Sequence, residues 1–114
     1  TSIELRYTFK NQHLEVLDEC AFCGIQKSQI SLELDNNNLY HISNKSLSDL
    51  RNIIILKLNK NKINFIENDV FSYLRTLKEL ELESNLLKKI SNAIFSYLDK
   101  LESLNLNHNK IIEI

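Results

Sequence analysis

Leu77-Lys78-Glu79-Leu80-Glu81-Leu82-Glu83-Ser84-Asn85 returns 24 residues later as Leu101-Glu102-Ser103-Leu104-Asn105-Leu106-Asn107-His108-Asn109. One period earlier the same places hold Ile53, Leu56, Leu58 and Asn61, and the period before that holds Leu32, Leu34 and Asn37. The second half of the unit recurs as well. Leu39, Ile42, Leu47 and Leu50 are answered by Ile63, Ile66, Phe71 and Leu74, and then by Leu87, Ile90, Phe95 and Leu98. A fixed period of this length marks a stacked array, in which one unit cannot bury its apolar face alone and neighbouring units supply the core.

The period divides the chain into one domain, 1–114, of successive units. Residues 29–52, 53–76 and 77–100 are full repeats. Residues 1–28 form a looser first unit with one extra residue, carrying Tyr7, Phe9, Leu14, Leu17, Phe22 and Ile25, and Gln12 where asparagine is expected. Residues 101–114 are a partial unit that stops at Ile114, the counterpart of Ile90. An array cut there leaves apolar stacking surface uncovered, so further repeats or a capping region are expected, with this segment a fragment of a longer array.

Within each unit the physics is local. Leucine and glutamate alternate in Leu80-Glu81-Leu82, the pattern of a short strand with one face buried. Such strands stack as a parallel sheet, about 4.7 to 4.9 Å apart, and the rest of each unit returns along the opposite side. Asn37, Asn61, Asn85 and Asn109 fall where the chain leaves the strand, where backbone groups turned into a dry interior need partners. An amide carries donors and an acceptor on a short stem, which explains an asparagine ladder. Phe22, Phe71 and Phe95, with Leu47 in the second unit's place, form an outer apolar column, each side chain worth about 1.5 to 3 kcal/mol on burial.

These residues resemble the leucine-rich repeat family in its 24-residue form with a recurring phenylalanine, which is typical of animal extracellular proteins. The resemblance covers nearly the whole chain. It implies an α/β repeat fold: a right-handed, curved solenoid with a short-stranded parallel sheet on the concave face and irregular or 3-10 segments on the convex face. It also implies a non-catalytic, protein-binding recognition module without a cofactor, in an extracellular receptor or adhesion protein similar to Toll-like receptors and to adhesion and guidance ectodomains. The alternative is an intracellular scaffold or regulator of another protein. Partners are then a protein ligand or co-receptor, together with further repeats or a cap of the same protein.

Composition bounds these readings. Apolar residues make up 43% of the 114 and charged residues 25%, as expected of a chain that folds. Fourteen basic and fifteen acidic side chains leave a formal charge of -1, so no broad cationic surface is expected for nucleic acid or anionic lipid. No apolar run reaches the roughly 20 residues of a membrane span, and Thr1 does not open a signal-peptide pattern. With one glycine and no proline, the turns need another residue type, and the abundant asparagines tolerate unusual dihedrals.

Since stacking fixes the buried columns, specificity belongs to the outward strand positions and adjoining loops. The candidates are Glu33, Asp35, Ile55, Lys57, Asn59, Lys60, Glu79, Glu81, Glu83 and Asn105. Glu79, Glu81 and Glu83 share one face of a strand, with Lys57 and Lys60 one strand away. They form either a charge-patterned contact patch or a ladder of cross-strand ion pairs, each worth about 0.2 to 1 kcal/mol. Ile54 and Ile55 precede Leu56, so strict alternation sends at least one of them out of the core face.

Cys20 and Cys23 form a lone CxxC, short of the four ligands that zinc takes, and no metal is expected. Two small thiols, a local disulfide and the remnant of a cap are the open readings. Asn44-Lys45-Ser46 is a sequon for N-linked sugar on the return loop. His13, His41 and His108 lie in different units without a nucleophile or carboxylate in matching register, so no catalytic residue is expected.

Overall fold

The computed structural model describes residues 5–25 and 28–112. Thr1 and Ile114, both used above, lie outside them. Along the chain come β1 (Leu5–Thr8), β2 (Val16–Leu17), β3 (Ile30–Glu33), β4 (His41–Ile42), β5 (Ile53–Lys57), β6 (Glu79–Glu81), the helical turn α1 (Asn92–Phe95) and β7 (Ser103–Asn105). Each unit gives one strand to a five-stranded parallel sheet in the order β1-β3-β5-β6-β7. Spatial order therefore follows sequence order, and each repeat touches the one before and the one after.

The inner leucines align across the sheet. Leu32 pairs with Leu56, Leu56 with Leu80 and Leu80 with Leu104. The first three are fully buried, whereas Leu104, in the outermost described strand, is 40% exposed. Phe71 and Leu47 are fully buried in the outer column, and Phe22 and Phe95 at its ends are partly so. Val70 and Ile94, each one residue before a column phenylalanine, join this core. In the same place Ser46 is buried and donates its hydroxyl to the Ser43 carbonyl at 2.8 Å.

The second unit departs from the 24-residue frame. Ile30 faces Ile53, 23 residues on, and the register then shifts so that Ser31 faces Ile55. Ile54 is the extra residue of this bulge, which is why both isoleucines need not obey alternation. Ile54 is buried and its carbonyl accepts the Lys78 amide at 2.8 Å, while Ile55 stands outward beside Glu79.

On the return side β2 and β4 pair in parallel, Val16 with His41 and Leu17 with Ile42. The remaining return segments are turns, apart from α1, whose N-cap Ser91 accepts the Ala93 amide at 3.1 Å. Two cation–π contacts repeat along this side: Arg51 lies 5.9 Å from the Tyr73 ring centre and Arg75 lies 5.5 Å from that of Tyr97. The first unit packs less tightly, leaving a hollow of about 290 Å³ lined by Phe9, Leu14, Leu17, Phe22 and Leu34.

Candidate functional site: the sheet face and its two polar ladders

The asparagine places form a continuous chain of hydrogen bonds. The Asn61 carbonyl oxygen accepts the Leu39 amide of the previous turn at 3.0 Å, and its amide nitrogen donates to Leu34, Leu58 and Asn59 carbonyls at 3.1 Å each. Asn85 repeats this, accepting from Ile63 and donating to Leu58 and Leu82. Asn37 holds the first turn through the Gln12 and Leu14 amides, and Asn109 holds Leu87. Asn37, Asn61 and Asn85 are buried; Asn109 is half-buried.

The unusual dihedral falls one residue earlier. Asn36, Lys60, Ser84 and His108 have φ of 62, 57, 60 and 59°, and Asn11 before Gln12 has 59°. The ladder asparagines are thus not the left-handed residues that the scarcity of glycine suggested. The turn is enforced by stacking at a place where lysine, serine and histidine also occur, each at a cost of order 1 to 3 kcal/mol.

A second ladder, two residues ahead of the first, runs through the candidate contact residues. Asp35 accepts the Asn59 backbone amide at 2.8 Å, and the Asn59 side-chain oxygen accepts that of Glu83 at 2.8 Å. Asn59 also donates to the Glu81 carboxylate at 2.8 Å, and Asn105 donates to that of Glu83 at 3.0 Å. Beside this ladder, Lys10, Asn11, Asp35, Asn36, Asn59, Lys60 and Glu83 line an open cleft of about 330 Å³. Lys10, Asn11 and Asn36 are outward positions by the period as well, Lys10 matching Asn59 and Glu83, and Asn11 and Asn36 matching Lys60.

Charge is unevenly arranged. The Glu33 carboxylate, with its side chain 11% exposed, sits among Arg6 at 3.8 Å, Lys10 at 3.6 Å and Lys57 at 3.9 Å. That is an ion-pair hub within the sheet and offers little of Glu33 to a partner. Next to it the Ser31 hydroxyl is fully buried without a hydrogen-bond partner. Burial raises the Asp35 carboxyl above its ordinary 3.8, against the lowering effect of the Asn59 amide and Lys10. Glu79 and Glu81 share a hydrogen bond that raises Glu79 and lowers Glu81, with Asn59 adding to the latter. The candidates that remain beside this hub are Ile55, Lys57, Glu79, Glu81 and Glu83, all half-buried, and the exposed Lys60.

Cys20 and Cys23 are joined as a disulfide, their Cα atoms 4.8 Å apart, in the turn that carries the one glycine, Gly24, at φ +81°. Asn44 is exposed. Among the described residues no three His, Cys, Asp or Glu side chains converge as metal ligands, and no helix is long and apolar enough to cross a membrane.

A parallel sheet with one short strand per 24-residue turn, laced by buried asparagines, defines a class, and comparison with known proteins agrees. The family model described as Leucine rich repeat matches residues 30–87 and 75–114, and the chain belongs to that family. A similar solved structure is titled "Crystal structure of TLR13-ssRNA13 complex", with a TM-score of 0.78 and 27% identity over 84% of this chain. This chain spans 13% of the length of that one. No curated protein matches. The neighbour's title names a single-stranded RNA, so near-neutral charge alone does not remove nucleic acid as a ligand for this architecture.

Proposed function

We propose that the chain is a recognition segment of an extracellular receptor-type ectodomain, binding a protein ligand or co-receptor through the outward row of the sheet and performing no catalysis. The likeness to a Toll-like receptor structure carries the reading. Supporting it, Lys57, Lys60, Glu79, Glu81 and Glu83 present opposite charges on adjacent strands, anchored from behind by the two ladders. Charged groups held in fixed geometry set partner choice and association rate more than affinity. Ile55 adds an apolar contact in the same row.

The test uses candidate ligands screened against the parent chain and the variants Lys57→Glu and Glu81→Lys. Both variants are expected to change ligand binding; Glu81→Lys is expected to keep its melting temperature within a few degrees, whereas Lys57→Glu, which sets a carboxylate against the largely buried Glu33, is expected to lower it while retaining the fold. Ligand binding indifferent to both removes the sheet face from the reading. The compartment is tested on protein from its native source. One glycan on Asn44, released by an amidase, with Cys20 and Cys23 resistant to alkylation fits the ectodomain. A bare Asn44 with both thiols alkylated without reductant selects the intracellular scaffold instead.

A further inference from the structure

The six large apolar side chains exposed among the described residues are unevenly placed: Tyr40, Phe65, Leu86 and Ile112 all lie just after the asparagine ladder. There the chain leaves the sheet and runs along the flank of the solenoid. Backbone hydrogen bonds fix these segments side by side, Lys62 to Leu39, Leu86 to Ile63, Lys110 to Leu87 and Ile112 to Lys88, at 2.8 to 2.9 Å. Neighbouring turns on the flank are thus about one strand spacing apart, roughly 4.7 to 4.9 Å.

Two properties separate this flank from the sheet face. Tyr40 and Phe65 are 52% and 61% exposed although both belong to interior turns, so their exposure is not an effect of the array's ends. Lys62, Lys88, Lys89 and Lys110 are exposed beside them, and residues 38–41, 62–65, 86–89 and 110–112 contain no acidic residue. No described carboxylate forms an ion pair with Lys62, Lys88 or Lys110. From the second turn onward, cations and large apolar groups share this flank on a molecule whose net charge is -1, and its acidic member is the exposed Glu15 of the first turn, whose carbonyl accepts the Tyr40 amide. Exposed apolar surface of this kind marks interaction sites.

We propose that the flank docks an acidic, extended segment of a partner protein, its carboxylates set against Lys62, Lys88 and Lys110 and its apolar side chains against Tyr40, Phe65 and Leu86. Charge complementarity selects an acidic occupant. The apolar places select a peptide: aliphatic Leu86 gives a base no stacking plane, and Tyr40 and Phe65 are not in register to stack successive bases as a single strand requires. Arginine, which suits bidentate phosphate contacts, is absent from the flank segments. The proposal is independent of the sheet-face reading.

The experiment measures fluorescence anisotropy of a labelled 12-residue probe peptide in which Glu alternates with Leu, its extended reach of about 40 Å exceeding the roughly 15 Å spanned by four turns. Its partner probe has Gln in place of Glu. The Glu peptide is expected to bind, and to weaken about tenfold or more on Lys62→Glu with Lys88→Glu and on Phe65→Ser. Lys57→Glu on the sheet face is expected to leave it unchanged. All four side chains stand outside the buried core, and circular dichroism checks that each variant retains the parent fold. Equal binding of the Gln peptide, equal loss in Lys57→Glu, or tighter binding of single-stranded RNA or phosphatidylserine vesicles through Lys62 and Lys88 overturns the proposal.

Discussion

Asn61 makes one acceptor and three donor contacts, all to backbone groups of its own and the preceding turn. Asn61→Ala leaves the Leu39 amide without its partner in a dry interior, while the Leu34, Leu58 and Asn59 carbonyls keep the Asn37, Asn85 and Asn36 donors, so a loss of about 1 to 3 kcal/mol is expected in urea unfolding. Asn109→Ala, at a half-exposed site, is expected to lose less. The ladder was legible because one residue type recurred at a place where leucine packs equally well. The left-handed residue before it was not legible, because Asn36, Lys60, Ser84 and His108 share no chemistry and only the stack imposes their dihedral. Ser84→Gly is expected to raise stability by up to about 1 kcal/mol and Ser84→Val to lower it, read from thermal midpoints. Asp35 adds a pH signature. Its carboxyl is raised by burial, so the folded state holds that proton more firmly than the unfolded chain, and the stabilising contribution is full below 3.8 and lost as pH rises through the higher folded value. Asp35→Asn keeps an oxygen for the Asn59 amide and removes the titration. Its stability is expected to exceed the parent's at pH 7, with the gap closing toward pH 3.8; a constant gap contradicts this assignment.

Strands and turns were read from the alternation of leucine with polar residues, and the pairing of Leu32, Leu56 and Leu80 follows it. The bulge at Ile54 was only half legible. Periodicity required one of two isoleucines to leave the core face, but it could not show that the second unit is short by a residue, because Gln29 and Ile30 compete for one place and burial favours the isoleucine. The second polar ladder escaped notice for a related reason: Asp35, Asn59 and Glu83 look like surface residues until the backbone amide that each approaches is known. In the outer column, Phe71 is fully buried between two turns, whereas Phe95 is only partly buried. Phe71→Ala is therefore expected to cost about 3 to 5 kcal/mol and Phe95→Ala distinctly less. Equal losses from denaturant titration are incompatible with a column that frays at its end.

The whole molecule is a one-dimensional object, with stability summed from each turn and its interfaces with the next. Its interior turns hold Leu56, Leu58, Ile63, Phe71 and Leu80 at full burial, while Tyr7 at one end and Leu106 at the other are partly exposed. Composition and period made this architecture readable. The distribution of charge between an ion-paired sheet face and a lysine-bearing flank depended on the three-dimensional winding and was read only from the structure. The central claim is that buried asparagine amides lace each turn to the next. Site-resolved hydrogen exchange of the backbone amides of Leu39 and Ile63, which donate to the Asn61 and Asn85 side chains, tests it most directly. Both amides are expected to exchange orders of magnitude more slowly than in an unfolded chain, with Leu39 losing protection in Asn61→Ala while Ile63 keeps it. Exchange of Leu39 and Ile63 at unfolded rates in the parent protein, or protection of Leu39 unchanged by removal of the Asn61 amide, contradicts the account.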